Sequence, residues 1–268
     1  MAIINGRGRV GARPSSGGGT PSYDADALAF FTAAGVTDVT QINAINTFFV
    51  TTKADGTYSK ILQANLHFLG SSSKNRVNIV NPSNTISYSS GWSFNSNGAT
   101  PNGTSSYIST GIFPNTTSFL QANSMHYSYY GRTNGTGGLI GGFSMGRAYI
   151  FPNLGGSGYF GMNTSYAYSG PTFNSQGMLI VNRNSDMVEN LFKNGTILTT
   201  NPFIRDLSKD EGEILISAVS RWGAPFAGSY TNVPVSFSSV GLGFTDIEAT
   251  NFSNAVNTMM TSLGINVY

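Results

Sequence analysis

Residues 189–199 read Glu189-Asn-Leu-Phe-Lys-Asn-Gly-Thr-Ile-Leu-Thr199. Asn194-Gly195 readily takes positive φ at both positions, as a type I′ turn requires, and the twist of that turn matches two antiparallel strands. A two-residue loop sets Lys193 against Thr196, Phe192 against Ile197 and Leu191 against Leu198. Phe192 and Ile197 then share one face of the ribbon, and Leu191 and Leu198 share the other. A ribbon apolar on both faces belongs inside a larger sheet that packs on something else.

The flanking sequence supplies that sheet. From about residue 74 the hydrophobic period is two, and strands are expected at 76–81, 85–88, 91–95, 106–109, 125–130, 139–143, 148–151, 158–162, 178–181, 189–193, 196–199, 214–219 and 233–241. Clusters of Gly, Asn, Ser and Pro separate them at short spacing, the pattern of a sandwich or barrel. Pro234 places the start of the last run at an edge or a bulge. Thr245-Asp-Ile-Glu248 is a capping box opening a final helix, with Ile247, Phe252, Val256, Met259 and Leu263 as its stripe and Gly264 as its stop.

Upstream, residues 24–68 read as helical. Asp24 or Asp26 caps a first helix carrying Leu28, Phe30, Phe31 and Ala34, stopped by Gly35. Asp38 and Gln41 open a second, with Val39, Ile42, Ile45 and Phe49 on one face. Thr57 is expected to cap a short third helix through Ile61, Leu62 and Leu66. Such short amphipathic helices cannot bury their stripes alone, so they pack on the sandwich or on a neighbouring subunit. Residues 1–21 form a basic arm and a Pro/Gly/Ser linker. The division expected is therefore an arm at 1–21, a helical segment at 22–70 and a β-sandwich with its closing helix at 71–268.

Composition narrows the chemistry. Only 10% of residues are charged and there is no cysteine, so disulfides, thiol nucleophiles and cysteine-based metal sites are excluded. A polar surface this poor in charge is made of Asn, Ser, Thr, Tyr and Gly. The net charge is +2. Arg7, Arg9 and Arg13 account for more than all of it, so no basic body holds nucleic acid. No apolar run is long enough to span a membrane, and no secretory signal is expected at the N-terminus.

His67 and His126 are far apart and each sits among apolar residues, so they read as structural rather than as metal ligands. Residues 70–185 contain no carboxylate, which disfavours calcium. No cofactor is expected. Gly141-Gly142-Phe143-Ser144-Met145-Gly146 only superficially resembles a nucleophile elbow. The acids available for glycoside cleavage are Asp186, Glu189, Asp206, Asp210, Glu211 and Glu213. Glu211 and Glu213 would share a face if both lay in a strand.

Three motifs carry a resemblance. They are Gly98-Ala-Thr-Pro-Asn-Gly-Thr-Ser-Ser-Tyr-Ile108, Asn190-Leu-Phe-Lys-Asn-Gly-Thr-Ile-Leu198 and Gly241-Leu-Gly-Phe-Thr-Asp-Ile-Glu-Ala-Thr-Asn-Phe252. In this order, residues 75–264 resemble the laminin-G-like, concanavalin-A-like jelly roll. The resemblance implies an all-β-dominated sandwich with small helical additions at its N- and C-terminal sides. Asn102-Gly103 stands where that family often has an acid that serves calcium.

The start, Ile3-Ile-Asn-Gly-Arg-Gly-Arg-Val-Gly11, followed by Asp24-Ala-Asp-Ala-Leu-Ala-Phe-Phe-Thr-Ala-Ala-Gly-Val36, looks like proteins of bacteriophages and prophages of Bacteroidota. That resemblance implies a non-enzymatic virion component of capsid or tail. Ile3, Ile4, Arg7, Arg9, Val10 and Arg13 would anchor it to other virion proteins, and a homo-oligomer is expected. Carried beside this is a carbohydrate-binding appendage that meets host-surface polysaccharide through Trp92, Tyr149, Tyr159, Tyr166, Tyr168 and Trp222. A polysaccharide-cleaving enzyme is the third reading.

Overall fold

The computed structural model describes residues 22–143, 147–164, 167–202 and 209–268. Ile3, Ile4, Arg7, Arg9, Val10 and Arg13, together with Tyr166 and Asp206, lie outside the described residues. The helices are α1 (Ala25–Ala34), α2 (Val39–Ala54), the one-turn α3 (Ser72–Asn75) and α4 (Asp246–Ser262). The first strands are β1 (Ile61–Leu66), β2 (Ser87–Tyr88), β3 (Ser93–Asn95), β4 (Gly98–Thr100) and β5 (Ile108–Ser109). The middle of the chain forms β6 (Met125–Gly131), β7 (Ile140–Phe143), β8 (Arg147–Leu154), β9 (Ser157–Thr164) and β10 (Tyr168–Gly170). Then come β11 (Gly177–Arg183), β12 (Glu189–Lys193), β13 (Thr196–Asn201), β14 (Leu215–Ile216), β15 (Ser220–Arg221), β16 (Ala224–Pro225) and β17 (Val235–Gly241).

Two largely antiparallel sheets face each other. The first runs β13-β12-β11-β6-β17-β4-β3, with β1 also on β17. The second runs β10-β9-β8-β7-β14-β5-β2, with β15 pairing β7 in parallel and β16 in a short hairpin. One core lies between the sheets and includes Tyr127, Tyr129, Leu179, Val181 and Leu191 from the first and Ile150, Phe160 and Met162 from the second. Alternate residues of the same strands, Tyr130, Met178, Ile180, Phe192 and Phe237, point the other way into a second core built with α1, α2 and α4. The molecule is thus three layers: helices, first sheet, second sheet. The short helices bury their stripes on the sandwich of their own chain.

Local signals explain the ends of the helices. Asp24 caps α1 by accepting from the N–H groups of Asp26 and Ala27, and Gly35 stops it at φ 61°. Asp38 accepts from Gln41 to cap α2. The Thr245–Glu248 capping box is formed in both directions at α4. Lys60 reaches Glu248 at 2.6 Å and ties the start of β1 to α4.

Several expectations change. Residues 57–66 do not form a third helix: a 3-10 turn at Tyr58–Lys60 leads into β1, which pairs with β17 from Ile61↔Gly241 to Leu66↔Phe237. Both faces of β1 are covered, so its apolar residues do not alternate, and positions 61, 62 and 66 mimic a helical spacing. The hairpin turn has Asn194 at φ 50° and Gly195 at φ 81°. Phe192 pairs with Ile197, but a bulge then sets Leu191 against Thr199 instead of Leu198. β13 is an edge strand, so Ile197 and Leu198 are exposed while Phe192 and Leu191 are buried. Residues 76–81 make only isolated bridges. The run at 214–219 is cut short where Ser217 turns to φ 62°. Val39 and Ile247 lie in first helical turns that overhang the core, and they are 64% and 75% exposed.

Phe48 sits at the centre of the helix-side core, with ring centroids 5.8 Å from Phe237 and 6.0 Å from Phe252. Phe48→Ala should lower unfolding free energy by about 3–5 kcal/mol in urea titrations, whereas Ile247→Ala should change it by less than about 0.5 kcal/mol.

Candidate functional site

The outward face of the second sheet carries a small aromatic cluster of its own. Along β8, Ala148 and Ile150 turn into the sandwich core, while Tyr149 and Phe151 turn outward with Val219. Phe143 of β7 and Tyr159 of β9 pack beside them. Register accounts for this meeting: Phe143 pairs with Arg147, and Phe151 pairs with Tyr159. Tyr149 lies between glycines, pairing with Gly141 on one side and Gly161 on the other. A Cβ on Gly141 would stand 2.1 Å from the carbonyl oxygen of Ala148, and its φ is 144°. Only glycine fits this floor.

These residues line a cleft of about 310 Å³ with Leu154, Arg147, Arg221 and Phe226, at the small end of ligand-binding pockets. Tyr149 stands edge-on to Phe151 at 5.2 Å and to Phe143 at 6.1 Å. The guanidinium carbons of Arg147 and Arg221 both lie 5.6 Å from the centroid of the Phe143 ring. Arg221 is also 5.4 Å from that of Phe226. Burial pushes the Tyr149 phenol up, and the nearby Arg147 charge pulls it back. Among the described residues lining the cleft there is no carboxylate. A larger hollow of about 520 Å³ lies between α2 and α4, but it is shallow and lacks aromatic side chains.

Trp222 occupies the tip of the β15–β16 hairpin beside Arg221. It is 64% exposed, its φ is 53°, and its backbone N–H donates to the carbonyl of Phe143 at 3.3 Å. Left-handed backbone is costly for a bulky residue, and such strain clusters at ligand sites.

Of the aromatic residues expected to meet sugar, the fold therefore brings Tyr149 and Tyr159 into one cleft and sets Trp222 beside it. Trp92 instead packs edge-on to Tyr88 at 5.2 Å and donates to the carbonyl of Tyr107. Tyr168 stacks on Phe160 at 4.8 Å, against the inner core. Phe143, Arg147, Phe151, Arg221 and Phe226 were not anticipated. The period of two through 147, 149 and 151 is the signal that could have found the β8 members.

Three of the acids considered for catalysis, Glu189, Asp210 and Glu213, accept hydrogen bonds that hold local structure. Glu189 is fully buried and accepts from the N–H of Met162 at 2.8 Å and from Asn201 at 2.7 Å. Buried Asp210 accepts from the N–H of Gly212 at 2.8 Å. Glu213 accepts from Ser109 and from the N–H of Gly111, clamping the β5 turn. Arg183, also fully buried, donates to the carbonyls of Met162, Asn163, Ser185 and Asp186. His67 lies between Tyr88 and Ser238, and His126 between Leu242 and Ser239. Among the described residues no three His, Cys, Asp or Glu side chains are grouped to hold a metal.

No protein-family model matches the chain. No curated protein matches it either. Solved structures do share its fold. The botulinum neurotoxin serotype D binding domain aligns with a TM-score of 0.50 and 6% identity, over 74% of this chain and 52% of that one. The serotype G binding domain aligns at 0.50 with 8% identity, over 74% and 51%. Trypanosoma rangeli sialidase, in complex with 2,3-difluorosialic acid, aligns at 0.51 with 11% identity, over 81% and 39%. This chain spans about half or less of each. At these identities the likeness concerns the fold alone, a β-sandwich of the expected jelly-roll type; this chain adds its N-terminal helices and closes with a C-terminal helix.

Burial sets the pH response. It lowers His67 to about 3 and His126 to about 4. The unfolded chain then binds more protons below the ordinary 6.5, so stability falls as pH drops from there toward 4. Burial raises Glu189 from 4.5 to about 8, so the folded chain keeps a proton that the unfolded chain has lost. That contribution declines as pH rises from 4.5 through 8. Between pH 6.5 and 8 only the Glu189 contribution of the three varies, so melting temperature should decline over that window in the native chain and stay flat in Glu189→Gln. The fall below pH 6.5 should be steeper in Glu189→Gln, because the opposing Glu189 contribution is gone.

Proposed function

We propose that this chain is a non-enzymatic carbohydrate-binding appendage of a bacteriophage particle, attached through residues 1–21 and presenting the outer face of the second sheet to polysaccharide on the host surface. The observation that carries the binding part is the cleft of Phe143, Tyr149, Phe151, Tyr159 and Phe226, with exposed Trp222 beside it. Sugars offer apolar C–H faces that rest on aromatic rings and hydroxyls that bond to polar tips. A few polar groups around an aromatic floor suit that need. The fold supports the reading to the extent that a solved sialidase holding a sialic acid derivative contains it. The absence of a carboxyl among the described lining residues supports binding over cleavage, because glycoside hydrolysis by the usual route needs two.

Attachment rests on different residues. Ile3, Ile4 and Val10 interleave with Arg7, Arg9 and Arg13 ahead of a Pro/Gly/Ser linker. Purely solvating tails carry few β-branched residues, so this arm suits ordering against other virion proteins. A homo-oligomer within the particle belongs to the same reading.

Two experiments test the two parts. Trp222→Gly should weaken binding to host polysaccharide by about tenfold or more, a loss of at least ~1.4 kcal/mol, while the melting temperature holds or rises because the left-handed strain is relieved. Unchanged affinity would count against the cleft. Deleting residues 1–21 should leave a folded protein that no longer joins particles, measured by mass spectrometry of purified virions. Particles that still incorporate the shortened chain would contradict the anchoring role.

A further inference from the structure

The cleft contains more charge than a neutral sugar needs. Arg147 and Arg221 approach the same Phe143 ring, each at 5.6 Å, and among the described residues neither makes an ion pair. Like charges on either side of one ring repel each other. They are held together by register, since Phe143 pairs with Arg147 on β8 and with Arg221 on β15. The described residues lining the cleft include no acid that would compensate them. Nor does the sequence from 70 to 185, which provides Phe143, Arg147, Tyr149, Phe151, Leu154 and Tyr159.

From this geometry we infer that the cleft selects glycans bearing a carboxylate, that is, uronic or ulosonic acid residues of an acidic polysaccharide. The inference rests on the carbohydrate-binding reading and narrows it. Arg221 lies against both Phe143 and Phe226, at 5.6 and 5.4 Å. A guanidinium held against aromatic rings keeps donors that can make a planar, two-point match to a carboxylate. Restricting the side chain beforehand lowers the entropy lost on binding. The apolar floor takes the sugar ring, and the hydroxyls of Tyr149 and Tyr159 provide further polar contacts. A neutral sugar would satisfy the floor and leave both cations without an acidic partner among the described lining residues. An acidic one supplies a counter-charge and gains charge-assisted contacts to Arg221. Both arginines stand near solvent, so the gain should shrink as salt rises.

The test is a glycan array of matched pairs, each uronic- or sialic-acid oligosaccharide printed beside its carboxyl-reduced alcohol, probed with the full chain at low and high salt. Sulfated oligosaccharides of equal charge are added as a third arm. The native chain should prefer the carboxylate member of a pair by tenfold or more at low salt, and less at high salt. Arg221→Gln should remove that preference without lowering the melting temperature. Arg221→Lys, which keeps the charge and loses the fork, should retain only part of it. Equal binding to both members would overturn the inference and leave the carbohydrate reading standing. A preference for the sulfated arm would overturn the carboxylate assignment. Binding to no glycan would overturn both the inference and the reading beneath it.

Discussion

The first sheet is covered on both faces, and most of the architecture follows from that constraint. Tyr127 and Tyr129 pack toward the second sheet while Tyr130, on the same strand, packs toward the helices. Leu179 and Val181 divide from Met178 and Ile180 in the same way on β11. A sheet with apolar residues on both faces exposes a hydrophobic wall unless a third layer is laid on it. α1, α2 and α4 are that layer, drawn from the two ends of the described chain. Their stripes, too short to be stable alone, acquire a surface to bury against.

Covering the first sheet leaves the outer face of the second as the broad sheet face open to ligand. Aromatic residues there are not needed for the inter-sheet core, which Ile150, Phe160 and Met162 already fill. Phe143, Tyr149, Phe151 and Tyr159 form a separate cluster on the opposite side of the same strands. The position of the cleft therefore follows from strand alternation. Its cationic rim follows from two register relations, Phe143 to Arg147 and Phe143 to Arg221.

The fold was largely legible where local chemistry decides it. Asn194-Gly195 took the positive φ values that its turn needs, and the caps at Asp24, Asp38 and Thr245 formed as their spacing requires. Reading failed where tertiary cover erased the pattern. Buried on both faces, β1 lost its alternation and looked helical, and the side-chain N–H groups of Asn65 within it donate to carbonyls of Asn75, Arg76 and Val77. The bulge that ejects Leu198 left no mark on the sequence. The site was half legible for the same reason. An aromatic residue can be named from sequence, but which way it faces depends on pairing. Tyr149 and Tyr159 face the cleft, whereas Trp92 and Tyr168 lean on the inner core. Arg147 and Arg221 are 74 positions apart in the chain, and only the parallel pairing of β15 with β7 brings them to one ring.

Everything proposed for the second sheet turns on whether glycan binds over the Phe143–Tyr149 floor beside the two arginines. A crystal structure of the chain with a bound oligosaccharide from host polysaccharide tests this most directly. The account predicts a sugar ring stacked in the cleft, within hydrogen-bond distance of Arg147 or Arg221 and bordered by Trp222. A sugar seated elsewhere, for example against Trp92 beside the β2 edge, with the Phe143 cleft empty, would contradict it.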